Sequence, residues 1–338
     1  MTMHEALLRR TLPADVRWTF LDITDEAAVC RPLAAGAEVY LGYQFNATMA
    51  RVARKLKFIQ VSGTGTDEIA FGSLAPRVIV ANTFNHERSI AEWVIMAMLA
   101  LSRQLLQSDR HLRSGLWDSI FYDPAQELYP ALRGKTLGLV GFGHIGVEVA
   151  RLARPFEMEI MAVTRNPSTR IPGDHGLAFL GRLDDLPHVL KAADYLVLAV
   201  PLESDTQNLV GLAQLDTMKS SAFLINVARA GLVDEDALFD ALSARRIKGA
   251  ALDVWYHYPE ARDGTGQALP ANRSFQRLDN VIITPHSSGS TEETYRLRAE
   301  DSARNIRRFL EGQELTNVVW PSAAAKPTGS SSTQGASR

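Results

Sequence analysis

Apolar positions along this chain recur in two rhythms: short runs of aliphatic and β-branched residues that read as strands, and longer stretches with a three-to-four residue repeat that read as helices. In the first third, the runs at 17–21, 38–43, 58–61 and 77–81 are predicted strands. Residues 90–106 are apolar on most sides and long enough for a helix buried between domains, and a second, more polar helix follows through Leu112. From Lys135 the alternation resumes, with strands predicted at 136–140, 159–163, 195–200, 222–226, 250–254 and 281–284. A helical run at 291–310 follows the last strand and is expected to pack back on the N-terminal layer. The pattern predicts an α/β protein of two Rossmann-like, doubly wound domains, one central and one discontinuous. Expected boundaries are 1–101 with 288–320 for the outer domain and 102–287 for the central one. Beyond Trp320 the chain turns to Pro, Ser, Ala, Gly and Thr, so 321–338 is expected to be a flexible tail.

The strand at 136–140 runs directly into Gly141-Phe142-Gly143-His144-Ile145-Gly146, which opens a helical pattern. This G-x-G-x-x-G spacing suits a dinucleotide. Gly141 permits the tight turn, Gly143 lets the backbone approach a pyrophosphate, and Gly146 lets the helix pack close to the strand with its N-terminus facing the negative charge. The end of the second strand of such a unit selects between nicotinamide cofactors, because a carboxylate there binds ribose hydroxyls and repels a 2′-phosphate. Here the strand ends in Thr164-Arg165-Asn166-Pro167-Ser168, without a carboxylate. Arg165 can grip a phosphate in a bidentate, charge-assisted contact while Thr164, Asn166 and Ser168 supply neutral hydrogen bonds, so NADP(H) is expected to be preferred, with NAD(H) as the alternative.

Composition narrows the partners. A length of 338 residues exceeds what one hydrophobic core normally organises, in line with two domains. The 36 basic against 38 acidic residues contain no basic tract of the kind that binds nucleic acid or anionic membrane, so neither is an expected partner. The single cysteine, Cys30, cannot form an intrachain disulfide, and residues 1–12 show neither a long apolar run nor a cleavage-like segment; both point to a cytoplasmic protein. The longest apolar candidate, 93–101, is followed by Ser102, Arg103 and Gln104 and falls short of a membrane span. No metal site is expected.

Three later segments carry a resemblance: Leu224-Ile225-Asn226-Val227-Ala228-Arg229-Ala230-Gly231-Leu232-Val233-Asp234, Ala251-Leu252-Asp253-Val254-Trp255, and Thr284-Pro285-His286-Ser287-Ser288-Gly289. With the central glycine turn, the upstream Gly63-Thr64-Gly65-Thr66-Asp67 loop and the Val200-Pro201-Leu202 strand end, they resemble the D-isomer-specific 2-hydroxyacid dehydrogenases, of the glyoxylate/hydroxypyruvate reductase type, over roughly residues 61–319. The resemblance implies a substrate domain built from both chain ends, a central coenzyme domain, a cleft between them and a homodimer formed mainly by the coenzyme domains. It further implies hydride transfer between NADP(H) and a small 2-oxo or D-2-hydroxy acid. Arg229 would clamp the carboxylate and polarise the keto oxygen, and His286 would act as general acid in reduction and base in oxidation. Backbone amides of Ser62, Gly63, Thr64 and Gly65 are expected to bind the substrate carboxylate. Asp253 matches the residue that hydrogen-bonds the nicotinamide carboxamide, and His144, Ile145, Val200, Pro201, Val227 and Ser288 lie where the cofactor is expected.

One position departs from the family pattern. A glutamate normally precedes the proline after the Leu-Asp-Val strand and pairs with the catalytic histidine; here the residue is Tyr258. A carboxylate there raises an imidazole pKa by roughly one to two units, which a neutral phenol cannot do. Tyr258 is expected to orient the ring by a hydrogen bond, with His257 or Glu260 as alternative partners. Asn85, His86 and Glu87 precede the long helix and are candidates for substrate contact or, equally, for capping it. The aromatic cluster Trp255, Tyr256 and Tyr258, with Phe84, Trp117, Phe121 and Tyr122 elsewhere, suits a bulky substrate, a core or an interface. The loss of the glutamate leaves open a nucleotide-sensing interaction protein of the co-repressor type; a formate or phosphite dehydrogenase-like enzyme would share the scaffold, but such enzymes normally use NAD and the Thr164-Arg165 pair argues against that.

Overall fold

The computed structural model describes residues 3–21, 25–167, 176–259 and 267–321. They form two compact units, one of residues 1–85 with 291–338 and one of 86–290. The first division thus falls before the long helix rather than after residue 101, because that helix spends its apolar face on the central unit's sheet layer.

In the discontinuous unit, β1 (Val39–Gly42), β2 (Phe58–Val61) and β3 (Ile79–Ala81) are parallel, and β11 (Val318–Trp320) pairs antiparallel with β3, giving the order β1-β2-β3-β11. Side-chain alternation divides β2 between two apolar layers. Ile59 and Val61 pack with Val29, Leu33 and Met49 from α2 (Glu26–Ala35) and α3 (Ala47–Val52). Phe58 packs on the other side with Leu8 of α1 (Met3–Thr11) and Ala303 and Ile306 of α10 (Glu292–Leu310). Thr291 starts α10 by accepting a hydrogen bond from the Thr294 amide, and Glu292 and Glu293 complement the helix N-terminus. The strand predicted at 17–21 is absent: no neighbouring strand pairs with it, and Phe20 instead stacks on Trp18 beneath the Arg9 guanidinium.

The central unit is a seven-stranded parallel sheet of order β10-β9-β8-β7-β4-β5-β6, formed by β4 (Thr136–Val140), β5 (Glu159–Val163), β6 (Phe179–Gly181), β7 (Tyr195–Leu198), β8 (Phe223–Asn226), β9 (Gly249–Leu252) and β10 (Val281–Ile283). Its inner strands β4, β7, β8 and β9 are buried on both faces, which is why they read as continuous apolar runs. Leu137 and Leu139 face a layer with α4 (Glu87–Ser102) and α6 (His144–Ala153), through Val94, Met98, Val149 and Ala153. Val140, Leu196 and Leu198 face the opposite layer, with α7 (Leu186–Ala192), α8 (Leu212–Thr217) and α9 (Glu235–Ser243). Each fully buried aliphatic side chain contributes about 1.5–3 kcal/mol. The helix expected at 90–106 is broken at Gln104, whose backbone is left-handed, and α5 (Leu105–Arg113) leaves at 57°. No single helix among the described residues is long and apolar enough to cross a membrane.

Candidate active site

All strands of the central sheet run the same way, so their carboxyl ends, and the loops that follow, share one edge. The order reverses between β4 and β7, the point at which doubly wound sheets bind ligands. The described residues of the glycine loop, with Thr164, Arg165, Val200, Val227, Arg229, Asp253 and His286, lie at or just beyond strand ends on this edge.

The loop after β4 is built for a phosphate. Gly141 has φ +104, and a Cβ there would lie 2.5 Å from the Ala199 carbonyl oxygen. A Cβ on Gly146 would run into the carbonyl of Gly141, so the first turn of α6 can sit against the loop only as glycine. A Cβ on Gly143 would meet no atom within 4 Å: this side of the loop faces open space at the helix N-terminus. The cradle therefore fits a dinucleotide pyrophosphate on steric and dipolar grounds. His144 is exposed and Ile145 half-buried beside it.

At the end of β5, the Thr164 amide donates to Gly181 O at 3.0 Å. Arg165 is held by two carboxylates: Nη2 lies 2.9 Å from Glu203 Oε2 and 3.0 Å from Asp205 Oδ1. The hydrogen bond to Glu203 leads in raising the guanidinium pKa, with Asp205 adding to it. The guanidinium expected to meet a phosphate is thus paired, in this structure, with two carboxylates from residues some forty positions away. Asn166 is exposed, and Ser168 lies outside the described residues. The loop carrying both carboxylates is shaped by buried Thr206, whose Oγ1 donates to Pro201 O at 2.8 Å and accepts from the Glu203 amide at 2.7 Å. Val200 and Val227 are buried at their strand ends, whereas Pro201 is exposed.

Beyond β8, Asn226 folds the turn that presents Arg229: its Nδ2 donates to Arg229 O at 2.9 Å and its Oδ1 accepts from the Ala228 amide at 3.1 Å. Arg229 is half-buried, with Nη1 donating to Ala228 O at 2.8 Å.

Asp253, at the end of β9, is wholly buried and gives its carboxylate to the segment after β10. Oδ1 accepts from Thr284 Oγ1 at 2.5 Å and from the Ser287 amide at 2.8 Å, and Oδ2 from the Ser288 amide at 2.9 Å. These bonds bracket His286, whose φ of +56 is left-handed. That conformation costs a non-glycine residue about 1–3 kcal/mol, and hydrogen bonds to a charged acceptor, worth about 1.5–3 kcal/mol each, more than offset it. Asp253, for which a nicotinamide contact is expected, is enclosed and anchors this segment, and Ser288, 4 % exposed, gives its amide to the same anchor. The Trp255 indole adds a further tie, donating to Thr284 O at 2.7 Å.

Tyr258 Oη lies 3.1 Å from His286 Nδ1 and accepts the Trp255 amide at 3.2 Å. With that lone pair used, the phenol can donate to an unprotonated Nδ1 or, on rotation, accept from a protonated one. Burial raises the Tyr258 phenol above its ordinary pKa, so it stays neutral. His286 has an opening to solvent, yet protein around the ring desolvates it and lowers its pKa below the ordinary 6.5; the Asp253 charge opposes this and the Arg229 charge reinforces it. Arg229 also acts on Tyr258, so its cation is felt by both members of the pair. His257 is turned to Asn272 Oδ1, at 3.1 Å, and is not the imidazole's partner; Glu260 lies outside the described residues. Tyr256 donates to Val233 O at 2.9 Å and packs at the core's edge.

The remaining candidates belong to the discontinuous unit. Ser62 and Gly63 are buried, and Gly65 is exposed. The Ser62 amide already donates to Gly42 O at 3.0 Å, which removes it from the expected carboxylate-binding set. Thr64 Oγ1 donates to Thr83 O at 2.7 Å, and Asn82 Nδ2 to Thr64 O at 2.9 Å, so the loop is braced from beneath. Asn85 has φ +72 and directs its amide at Asp301 of α10. The sequence offered no signal for Asn226 beyond its place in the 224–234 segment, and none for Glu203, Asp205 or Thr206, which follow the Val200-Pro201-Leu202 strand end. Among the described residues, no three His, Cys, Asp or Glu side chains are grouped to hold a metal ion.

Residues 95–288 match the family model described as D-isomer specific 2-hydroxyacid dehydrogenase, NAD binding domain. The chain is 35 % identical over 269 residues to a D-3-phosphoglycerate dehydrogenase of Methanocaldococcus jannaschii, covering 79 % of this chain and 48 % of that protein. It is 33 % identical over 271 residues to a glyoxylate reductase of Thermococcus litoralis, covering 79 % and 78 %. The chain thus spans about half the length of the phosphoglycerate dehydrogenases it matches. Among solved structures, an acyclic imino acid reductase in complex with NADPH and D-Arg superposes with a TM-score of 0.74 at 29 % identity, covering 89 % of this chain and 91 % of the other.

Proposed function

The chain belongs to the D-isomer-specific 2-hydroxyacid dehydrogenase family, and from that premise we propose that it transfers a hydride between NADP(H) and a small 2-oxo or D-2-hydroxy acid. The observation that carries this reading is the convergence at one sheet edge of the Tyr258–His286 pair with the Arg229 cation that acts on both.

The cradle of Gly141, Gly143 and Gly146 holds the pyrophosphate, with Thr164, Arg165 and Asn166 toward the adenosine end and Val200, Pro201 and Val227 along the strand ends. When bound, the nicotinamide supplies or accepts the hydride. Arg229 receives the carboxylate of the 2-oxo acid and draws electron density onto the keto oxygen, and His286 Nε2 donates the proton that the developing alkoxide requires. Protonated His286 donates through Nδ1 to Tyr258; after it gives up Nε2–H, the same contact persists with an N–H donor. Asp253 keeps the ring in place. Because the ring's pKa lies below 6.5, reduction, which needs imidazolium, is favoured on the acid side, and oxidation, which needs the neutral ring, is supported through neutrality.

The cofactor preference rests on the absence of a carboxylate at the end of β5 and on Arg165, and a relative of similar fold was solved with NADPH. We further propose a homodimer through the central unit. The segment after α5 leaves Trp117, Phe121, Tyr122 and Leu128 outside the core, Phe121 at 89 % exposure, and apolar surface of this kind marks an interface.

Consumption of NADPH and NADH at 340 nm with glyoxylate, hydroxypyruvate and longer 2-oxo acids tests the reading. Turnover by the wild type, lowered about 10²–10³-fold or more by Arg229→Ala and by His286→Ala, is the expected result. Tight dinucleotide binding with no turnover of any acid would overturn it in favour of a nucleotide sensor.

A further inference from the structure

The guanidinium that faces the adenosine end of the cofactor site does not stand alone. Arg165 shares one nitrogen, Nη2, between Glu203 Oε2 at 2.9 Å and Asp205 Oδ1 and Oδ2 at 3.0 and 3.1 Å. Both acids come from the loop after β7, fixed by the buried Thr206 hydroxyl, so they are presented by a braced turn rather than by a drifting side chain. The three charges sum to minus one.

A 2′-phosphate dianion seeking Arg165 must separate it from both acids or bind beside them. A ribose 2′-hydroxyl meets the opposite situation, for the second strand lacks a terminal carboxylate and Glu203 or Asp205 offers the missing acceptor. We propose that Glu203 and Asp205 are cofactor-selectivity residues: their clamp on Arg165 narrows the advantage of NADP(H), so that the chain accepts both dinucleotides, and removing the carboxylates makes it strongly selective for NADP(H). This rests on the reading of the β4 loop as a dinucleotide site. At the dielectric of water and low ionic strength, a dianion roughly 6 Å from a carboxylate is disfavoured about tenfold in affinity. Neutralising one acid therefore raises the NADPH-over-NADH affinity ratio about tenfold, and neutralising both raises it further. Because all three side chains are about half exposed, the effect is sensitive to salt.

The test is the dissociation constant of NADPH, NADH, 2′,5′-ADP and 5′-AMP, by calorimetry, for the wild type, Glu203→Gln, Asp205→Asn, the double variant and Arg165→Ala. The amide variants keep size and polarity at exposed positions, and thermal unfolding checks that each is folded. The clamp predicts a wild-type ratio within about tenfold of unity, a rise of about tenfold in each amide variant and more in the pair, with the ADP and AMP ratios moving in parallel and the rise shrinking at high salt. Arg165→Ala loses the gain. A ratio unmoved in the double variant, with both dinucleotides bound, overturns the clamp and leaves the site standing. Failure of the wild type to bind any of the four ligands overturns the site and the clamp together.

Discussion

Replacing Tyr258 with glutamate restores a charge that the histidine lacks, and the structure fixes how large the consequence should be. Tyr258 Oη and His286 Nδ1 are 3.1 Å apart, and because glutamate reaches less far than tyrosine its carboxylate lies somewhat farther from the ring, at about 4 Å or a little more. Two unit charges at 4 Å attract by about 1 kcal/mol in water and about 4 kcal/mol at an effective dielectric of 20. Tyr258 is 48 % exposed, which moves the value toward the lower limit. A stabilisation of imidazolium by about 1.4–2.8 kcal/mol corresponds to one to two pKa units. In the wild type, burial and Arg229 hold the ring below 6.5, so the acid limb needed for reduction is lost as pH rises through that lowered value. Tyr258→Glu moves this midpoint upward, and the onset of oxidation, which needs the neutral ring, moves upward with it. The assay is the pH dependence of kcat/KM for 2-oxo acid reduction and for the reverse reaction between pH 5 and 9, with Tyr258→Phe as the control that removes the hydrogen bond without adding charge. Superimposable midpoints in the wild type and Tyr258→Glu would refute the reasoning and remove position 258 from the proton chemistry.

Three further outcomes follow from particular contacts. Asp253→Asn retains volume but turns one of three acceptances into a donor clash, which costs about 1–3 kcal/mol, visible as a lower unfolding midpoint together with a fall in kcat larger than the change in dinucleotide affinity. Gly146→Ala drives a methyl group into the Gly141 carbonyl and should weaken dinucleotide binding by about 1–3 kcal/mol in a fluorescence titration; a normal constant would show that the helix can retreat. Phe121→Ser combined with Trp117→Ser removes exposed apolar surface and should convert a dimer into monomer by sedimentation, at little cost to the fold of one chain; an unchanged assembly would exclude this segment as the interface.

How much of this was legible in the sequence depends on the distance over which each feature is determined. The β4 strand and its glycine turn are local: an apolar run, then a turn in which Gly141 and Gly146 are hemmed in by the adjoining strand end and the same loop while Gly143 faces open space. Parallel topology then places the other strand ends beside them, so the candidate loops could be assembled without coordinates. The 17–21 segment misled because its alternation is that of a strand, while pairing requires a neighbour that the fold does not supply. β6 and β11 are three-residue strands at or near a sheet edge that the apolar pattern does not single out. The break at Gln104 depends on one left-handed residue that need not be glycine. Arg165 was read as a phosphate ligand from its own strand, whereas the acids that neutralise it arrive from the loop after β7. Asp253 is the same lesson reversed, for nothing in Leu-Asp-Val reveals that the carboxylate turns inward to hold a left-handed histidine.

The central claim is that the guanidinium of Arg229 and the imidazole of His286 act on one carbonyl, and a double-mutant cycle on kcat/KM for 2-oxo acid reduction tests it most directly. Arg229→Ala and His286→Ala are each predicted to lower kcat/KM by about 10²–10³ or more, and the double variant to fall far short of the product of the two losses, because either removal already disables a shared transition state. Losses that multiply in full, or a His286→Ala variant that reduces the acid at the wild-type rate, would contradict the account.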